Sequence, residues 1–184
     1  MTPLPDRRRL RAWLRRGGLI AYATESCFGL GCDPRSARGV RRLLALKGRP
    51  AGKGLILVAA DFRQLAPFLA PVSTALASRF PRWWPGPYTL LLPAAAHCPR
   101  RLSGRHDQLA VRVTAHAETV RLCRVLDMAL VSTSANRAGQ RALKTATACR
   151  RAFGSRVWVL PGRVGRRRTP STILEPLSGA VLRA

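Results

Sequence analysis

Apolar residues fall along this chain in two rhythms. Leu10 and Leu14 recur four apart among arginines, and Val40, Leu43 and Leu44 recur three and four apart after Ser36, so each set lines one face of a helix. Gly17-Gly18 closes the first helix and Ser36 caps the second. Short apolar runs at 19–23, 55–59, 88–92, 109–113 and 129–132 are strand-length and predict buried strands. Asp61 is placed to cap a helix carrying Phe62, Leu65 and Leu69, and Ser73 another carrying Leu76 and Phe80. Further helices are expected at 118–126 and 145–153, and strands at 157–160, 171–174 and 180–183, whereas the Gly-bearing stretch 24–34 predicts a loop. Several strands follow one another without a crossover helix. The expectation is an α/β single domain over 1–184, with a twisted, open, mixed sheet rather than a purely parallel one.

Composition narrows this picture. At 184 residues and 47% apolar, the chain suits one domain with a real core. No apolar run approaches membrane-span length, and the segment 19–23 behind the N-terminal arginines is too short for a signal peptide, so a soluble, cytoplasmic protein is expected. The five cysteines lack CxxC spacing, and the three histidines fall in no zinc pattern; a reducing compartment fits. Cys27 is read either as a nucleophilic thiol in a Gly-containing loop or as an incidental one.

Charge changes the picture most. Lys+Arg number 33 against 8 Asp+Glu, a net +25, and Lys47, Lys53 and Lys144 are the only lysines. A field this positive attracts nucleic acid or small polyanions and weakens as salt rises. The runs 7–9 and 166–168 are expected on an outer basic surface. The alternative is an arginine coat with no dedicated ligand.

Two local constellations carry candidate chemistry. Lys47-Gly48-Arg49 with Lys53 concentrates cations at a helix end before a buried strand, as a triphosphate requires, or as a helix C-terminus favours on its own. Gly48–Lys53 is no P-loop: the glycine spacing is one short, and Gly54 replaces the Ser/Thr that would meet Mg²⁺. Ser132-Thr133-Ser134-Ala135-Asn136 follows a strand and offers hydroxyl and amide groups to a ligand above the sheet. A serine nucleophile competes with that reading but lacks a Gly-x-Ser-x-Gly elbow and an evident base.

In chain order, Thr24-Glu25-Ser26-Cys27-Phe28-Gly29-Leu30-Gly31, Lys47-x-Arg49, Lys53-Gly54-Leu55, Trp84-Pro85-Gly86-Pro87-Tyr88-Thr89, Ala110-Val111-Arg112-Val113, Ser134-x-Asn136 and Pro170-Ser171-Thr172-Ile173 resemble the blocks of the YrdC/TsaC family of threonylcarbamoyl-AMP synthases. The resemblance runs from about residue 8 to Arg183 and is to the short, stand-alone bacterial members. Ala23 stands where most members have proline, which loosens the loop without changing its side-chain chemistry.

The resemblance implies a YrdC-like fold with a large basic concave surface. It implies formation of threonylcarbamoyl-AMP and pyrophosphate from L-threonine, bicarbonate and ATP, feeding threonylcarbamoyladenosine modification of tRNA position 37. By the same carry-over Thr24, Lys53, Arg112, Ser132 and Ser171 would contact threonine. Lys47, Arg49, Thr89, Ser134, Asn136 and Arg183 would contact ATP, with Lys47 and Arg49 catalytic. Mg²⁺ would enter with ATP, held by phosphates and water because acids are so scarce. Proteins that transfer the threonylcarbamoyl group would act downstream, and tRNA or double-stranded RNA is a further expected partner. The alternative function is a basic RNA-binding protein without catalysis, although no RRM or KH pattern is present.

Overall fold

The computed structural model describes residues 5–183. Its elements are α1 Arg7–Arg15, β1 Ile20–Ala23, β2 Phe28–Gly31, α2 Ala37–Lys47, β3 Ile56–Ala59, α3 Thr74–Ala77, β4 Tyr88–Pro93, α4 Arg100–Ser103, β5 Gln108–Val113, α5 Ala117–Leu126, β6 Leu130–Ser134, α6 Ala146–Phe153, β7 Trp158–Val159, β8 Thr172–Leu174 and β9 Val181–Arg183. Side-chain caps begin the two helices that sequence periodicity predicts. Asp6 accepts from the Arg8 amide (2.6 Å) ahead of α1, and Ser36 Oγ accepts from the Gly39 amide (3.1 Å) ahead of α2.

The strands form one mixed sheet in the order β7-β1-β2-β6-β3-β5-β4-β8-β9. β1 with β7, β3 with β5, and β4 with β8 are parallel pairs, while the other neighbours are antiparallel. Because side chains alternate along a strand, each strand serves two environments. Ala21, Leu30, Leu57, Leu90, Val111 and Val131 point into the larger core, which α2 completes with Val40 and Leu43. Ile20, Tyr22, Val58 and Leu130 belong to a smaller cluster with Leu10 and Leu14 of α1 and Leu122 and Leu126 of α5. Leu10 and Leu14 have no exposed surface, and full burial of such a side chain stabilises by about 1.5–3 kcal/mol.

The second face changes character along β6. Leu130 lies in the smaller cluster; Ser132 and Ser134, two and four residues further on, share its side of the pleat and border an open cleft. Register extends that polar half across the sheet. Ser134 sits opposite Gly29 of β2, Ser132 opposite Ile56 of β3, and Arg112 of β5 opposite Val58.

Three local expectations are corrected. The stretch read as a loop contains β2, which pairs with β1 and β6. The helix expected after Asp61 is two 3-10 turns, Phe62–Gln64 and Ala66–Phe68, with Pro67 removing a donor that a longer helix would need. The helix expected after Ser73 stops at Ala77, and Phe80 sits in a separate 3-10 turn with Pro81.

Candidate active site

The cleft over the polar half of the sheet encloses about 620 Å³. Thr24, Arg49, Arg112, Ser132, Ser134, Asn136, Ser171 and Arg183 line it, bringing together residues drawn from widely separated blocks of the chain. Lys47, Lys53 and Thr89 do not.

Each side chain is placed by its own element. Thr24 follows β1; its hydroxyl donates to the Cys27 carbonyl (2.7 Å), which also takes the Thr24 amide (3.0 Å) and closes the turn into β2. Arg112 projects from β5, 7% exposed, and its Nη2 lies 3.3 Å from Glu25 Oε2 without a hydrogen bond between them. Thr114 donates to the other Glu25 oxygen at 2.6 Å, while Arg112 Nε has no protein partner. Arg49 leaves the C-terminal end of α2 and donates to the Gly54 carbonyl from both Nε (3.3 Å) and Nη2 (3.0 Å), and to the Lys53 carbonyl at 3.1 Å. That fork fixes a guanidinium on the cleft wall. Lys53 offers only its carbonyl there; its side chain is exposed outside the cleft.

Lys47 acts from behind. Its ammonium donates to the Ser134 carbonyl (2.5 Å), the Asn136 carbonyl (2.9 Å) and Asn136 Oδ1 (3.2 Å), spanning the turn after β6. Burial, and then the neighbouring Arg49 charge, pull its pKa down to about 8. Asn136 is pinned further by Nδ2 donation to the Arg137 (2.9 Å) and Gln140 (2.6 Å) carbonyls, and Ser134 Oγ donates to Asn136 Oδ1 at 2.6 Å. The Ser-x-Asn block is therefore a rigid turn, with a buried cation as its pin.

The opposite wall is built from β4, β8 and β9. Thr89 has no exposed surface and shares a 2.8 Å hydrogen bond with Ser171 Oγ, so it orients Ser171 from beneath. Arg183 Nη2 donates to the Ser171 carbonyl (2.7 Å) and hydroxyl (3.2 Å). Burial lowers the pKa of both Arg49 and Arg183, yet a guanidinium stays charged.

Several residues escaped the sequence reading. Arg141, Lys144 and Arg168 also line the cleft. Arg168 corrects the expectation that the run 166–168 lies wholly on an outer surface: Gly165 N donates to Thr24 O (2.9 Å) and Arg167 N to Glu25 O (3.1 Å), which ties this arm to the cleft edge. Glu25 was part of a recognised block, but its pairing with Arg112 across the sheet has no signal in local spacing. Cys27 lines the cleft half-buried, whereas burial pushes the Cys123 thiol up to about 12 and Cys149 up to about 11. All five cysteines are free thiols.

Chemically, the polar part of the described lining is made of cations, hydroxyls, the Asn136 and Gln140 amides and the Cys27 thiol, with no His, Asp or Glu. Ser132 and Ser134 therefore have no base in the cleft wall, which does not suit a serine nucleophile. The arrangement suits binding and orienting anions. No set of three or more His, Cys, Asp or Glu able to hold a metal occurs among the described residues. None of their helices is long and apolar enough to cross a membrane.

Comparison with known proteins adds to this geometry. The Sua5/YciO/YrdC family, described as telomere recombination, matches residues 12–184. A threonylcarbamoyl-AMP synthase of Chromobacterium violaceum is 60% identical over 95% of this chain and 91% of its own length. One of Thiobacillus denitrificans is 55% identical over 95% and 93%. The crystal structure of P. abyssi Sua5 complexed with L-threonine superposes with a TM-score of 0.82 at 30% identity, covering 92% of this chain and 50% of that longer one.

Proposed function

The chain belongs to the Sua5/YciO/YrdC family, and from that premise we propose that it is a threonylcarbamoyl-AMP synthase using L-threonine, bicarbonate and ATP. The observation that carries this reading is the single cleft in which Thr24, Arg112 and Ser171 face the same space as Arg49, Ser134 and Asn136.

In this reading the amine of threonine and bicarbonate give an N-carboxylate with loss of water. A carboxylate oxygen then attacks the α-phosphorus of ATP, and the bond to the β-phosphate oxygen breaks to release pyrophosphate. Negative charge grows on the leaving oxygens, so fixed cations aimed at them lower the barrier. Arg49 and Arg183 are suited to the phosphates, and the Ser134–Asn136 turn to the nucleotide. Lys47 serves as a positioning residue that holds this turn. Arg112 is suited to threonine's carboxylate, with Thr24, Ser132 and Ser171 offering hydroxyls; Lys53 lies outside the cleft and Thr89 supports Ser171. No covalent nucleophile is needed, because orientation and electrostatics supply the catalysis.

Mg²⁺ would arrive with ATP as part of the substrate. The hydroxyl-rich, carboxylate-free wall leaves the ion to phosphates and water. The reaction is placed in the cytoplasm, which the free cysteines suit. Its product feeds proteins that transfer the threonylcarbamoyl group to tRNA position 37, and the +25 charge supports an additional affinity for tRNA or double-stranded RNA.

The decisive assay converts labelled threonine to an AMP adduct. Adduct and pyrophosphate should form only when threonine, bicarbonate and ATP are all present. Binding of tRNA without threonine-dependent pyrophosphate release would overturn the enzyme in favour of an RNA-binding protein.

A further inference from the structure

We propose that Glu25 is a positioning residue for the amino-acid end of the cleft, fixing Arg112 with its carboxylate and the arm 161–171 with its backbone; this rests on the synthase reading. The carboxylate and guanidinium are both largely withdrawn from water, their side chains 15% and 9% exposed. A buried ion pair is weak evidence of stabilisation, because desolvation offsets most of the attraction. This pair is also incompletely bonded. Glu25 Oε1 is taken by Thr114, Oε2 stands 3.3 Å from Arg112 Nη2 without a hydrogen bond, and Arg112 Nε is unpartnered although buried.

The ion pair with Glu25 takes up no N–H of Arg112 in a hydrogen bond, so this guanidinium bordering the cleft is oriented but not saturated. Glu25 balances its charge while the cleft is empty, and leaves hydrogen-bonding capacity for an incoming carboxylate. Without that counter-charge, Arg112 would be a buried cation with no partner and would turn toward water.

The backbone of the same residue holds the facing wall. Glu25 O accepts from Arg167 N at 3.1 Å. The arm passes so close that a Cβ on Gly165 would stand 2.7 Å from Glu25 O and 3.0 Å from its Cα, so only glycine fits there. Beyond that contact the arm carries Arg168 and Ser171 to the cleft. Two successive residues of the β1–β2 turn, Thr24 and Glu25, thus register both sides of the threonine pocket.

The test is steady-state kinetics on the full-length protein with each substrate varied in turn, beside calorimetry with threonine alone. Glu25→Gln should raise the threonine KM at least tenfold while the ATP KM stays within twofold and kcat within threefold. Thr114→Val, which keeps the shape but removes the bond to Glu25 together with the one Thr114 accepts from the His116 amide (3.1 Å), should move the threonine KM in the same direction by about threefold. A disturbed fold would instead move both KM values and kcat together. A wild-type threonine KM in Glu25→Gln, or equal shifts for both substrates, overturns the proposal. If Glu25→Gln fails to fold by circular dichroism, Thr114→Val decides, and an unchanged threonine KM overturns it. A wild-type protein that makes no adduct removes the synthase reading instead; loss of calorimetric threonine binding in Glu25→Gln would still support the positioning role, and unchanged binding would overturn it.

Discussion

One face of the sheet is used in two ways within a few ångströms. At one end Ile20, Tyr22, Val58 and Leu130 meet α1 and α5 and become core. At the other, Gly29, Ile56, Ser132 and Ser134 continue the same side of the same strands, or of their neighbour, and line a cleft. Backbone geometry is shared, so the difference lies in side chains and in what covers them. Leu130 is replaced two residues later by a small hydroxyl, and no apolar helix face is laid over it. A cleft of this kind is a sheet face that the chain declines to cover, with cations bracketing the gap.

The contrast is best broken within β6. Leu130→Ala should cost about 3 kcal/mol of stability by urea unfolding, the transfer and cavity cost of a fully buried leucine, while the folded fraction keeps its activity. Ser132→Ala should stay within about 1 kcal/mol in stability and lose activity instead. Equal losses of stability would mean that both halves are core.

Arg49→Ala sharpens the same contrast from the rim. Pyrophosphate release should fall about 100-fold, the scale of one lost preorganised contact, or about 2.7 kcal/mol. Stability should change little, since the residue is only part-buried. Wild-type turnover in a folded Arg49→Ala protein would take this guanidinium out of the reaction.

Lys47 lies between the two regimes, buried like core and charged like rim. Its folded pKa of about 8 is below the 10.5 of an ordinary lysine, so between those values the unfolded chain binds more protons than the folded one. Stability should therefore rise with pH from about 8 towards 10.5. Comparing urea unfolding at both ends of that window in wild type and in Lys47→Met checks it, because the variant should lack this increment.

The smallest expected effect is at the periphery. Replacing Arg7, Arg8 and Arg9 with glutamine should leave pyrophosphate release within roughly threefold, a shift below ~1 kcal/mol, while tRNA affinity and its salt dependence both fall. Their exposure on α1 and their absence from the cleft lining motivate the choice. A large loss of activity would show that the cleft depends on this helix.

Legibility in the sequence followed the same division. Periodicity revealed α1 and α2, and strand-length apolar runs revealed most buried strands, because burial selects apolar residues. The same patterning hid β2, where glycine alternates with Phe28 and Leu30 and mimics a loop. Those glycines are strand residues whose space is taken by others: a Cβ on Gly31 would stand 2.5 Å from the Val131 carbonyl and 2.9 Å from the Tyr22 ring. The ordered blocks located most of the cleft, but not the direction in which a side chain points. Lys47 and Arg49 are two apart, yet one turns behind the Ser134–Asn136 turn and the other lines the cleft. Glu25 and Arg112 meet only because β1 and β5 are folded into one sheet, a contact that neither residue's neighbours encode.

The cleft's one-signed wall makes it an ion exchanger. With Arg49, Arg112, Arg141, Lys144, Arg168 and Arg183 around it and no carboxylate in its lining, it attracts small anions of any kind that the medium supplies. Chloride, inorganic phosphate and newly released pyrophosphate all draw on the cations that ATP needs. The apparent affinity for nucleotide is then a property of the protein together with its salt, and a phosphate buffer would act as a competitor rather than as a neutral background.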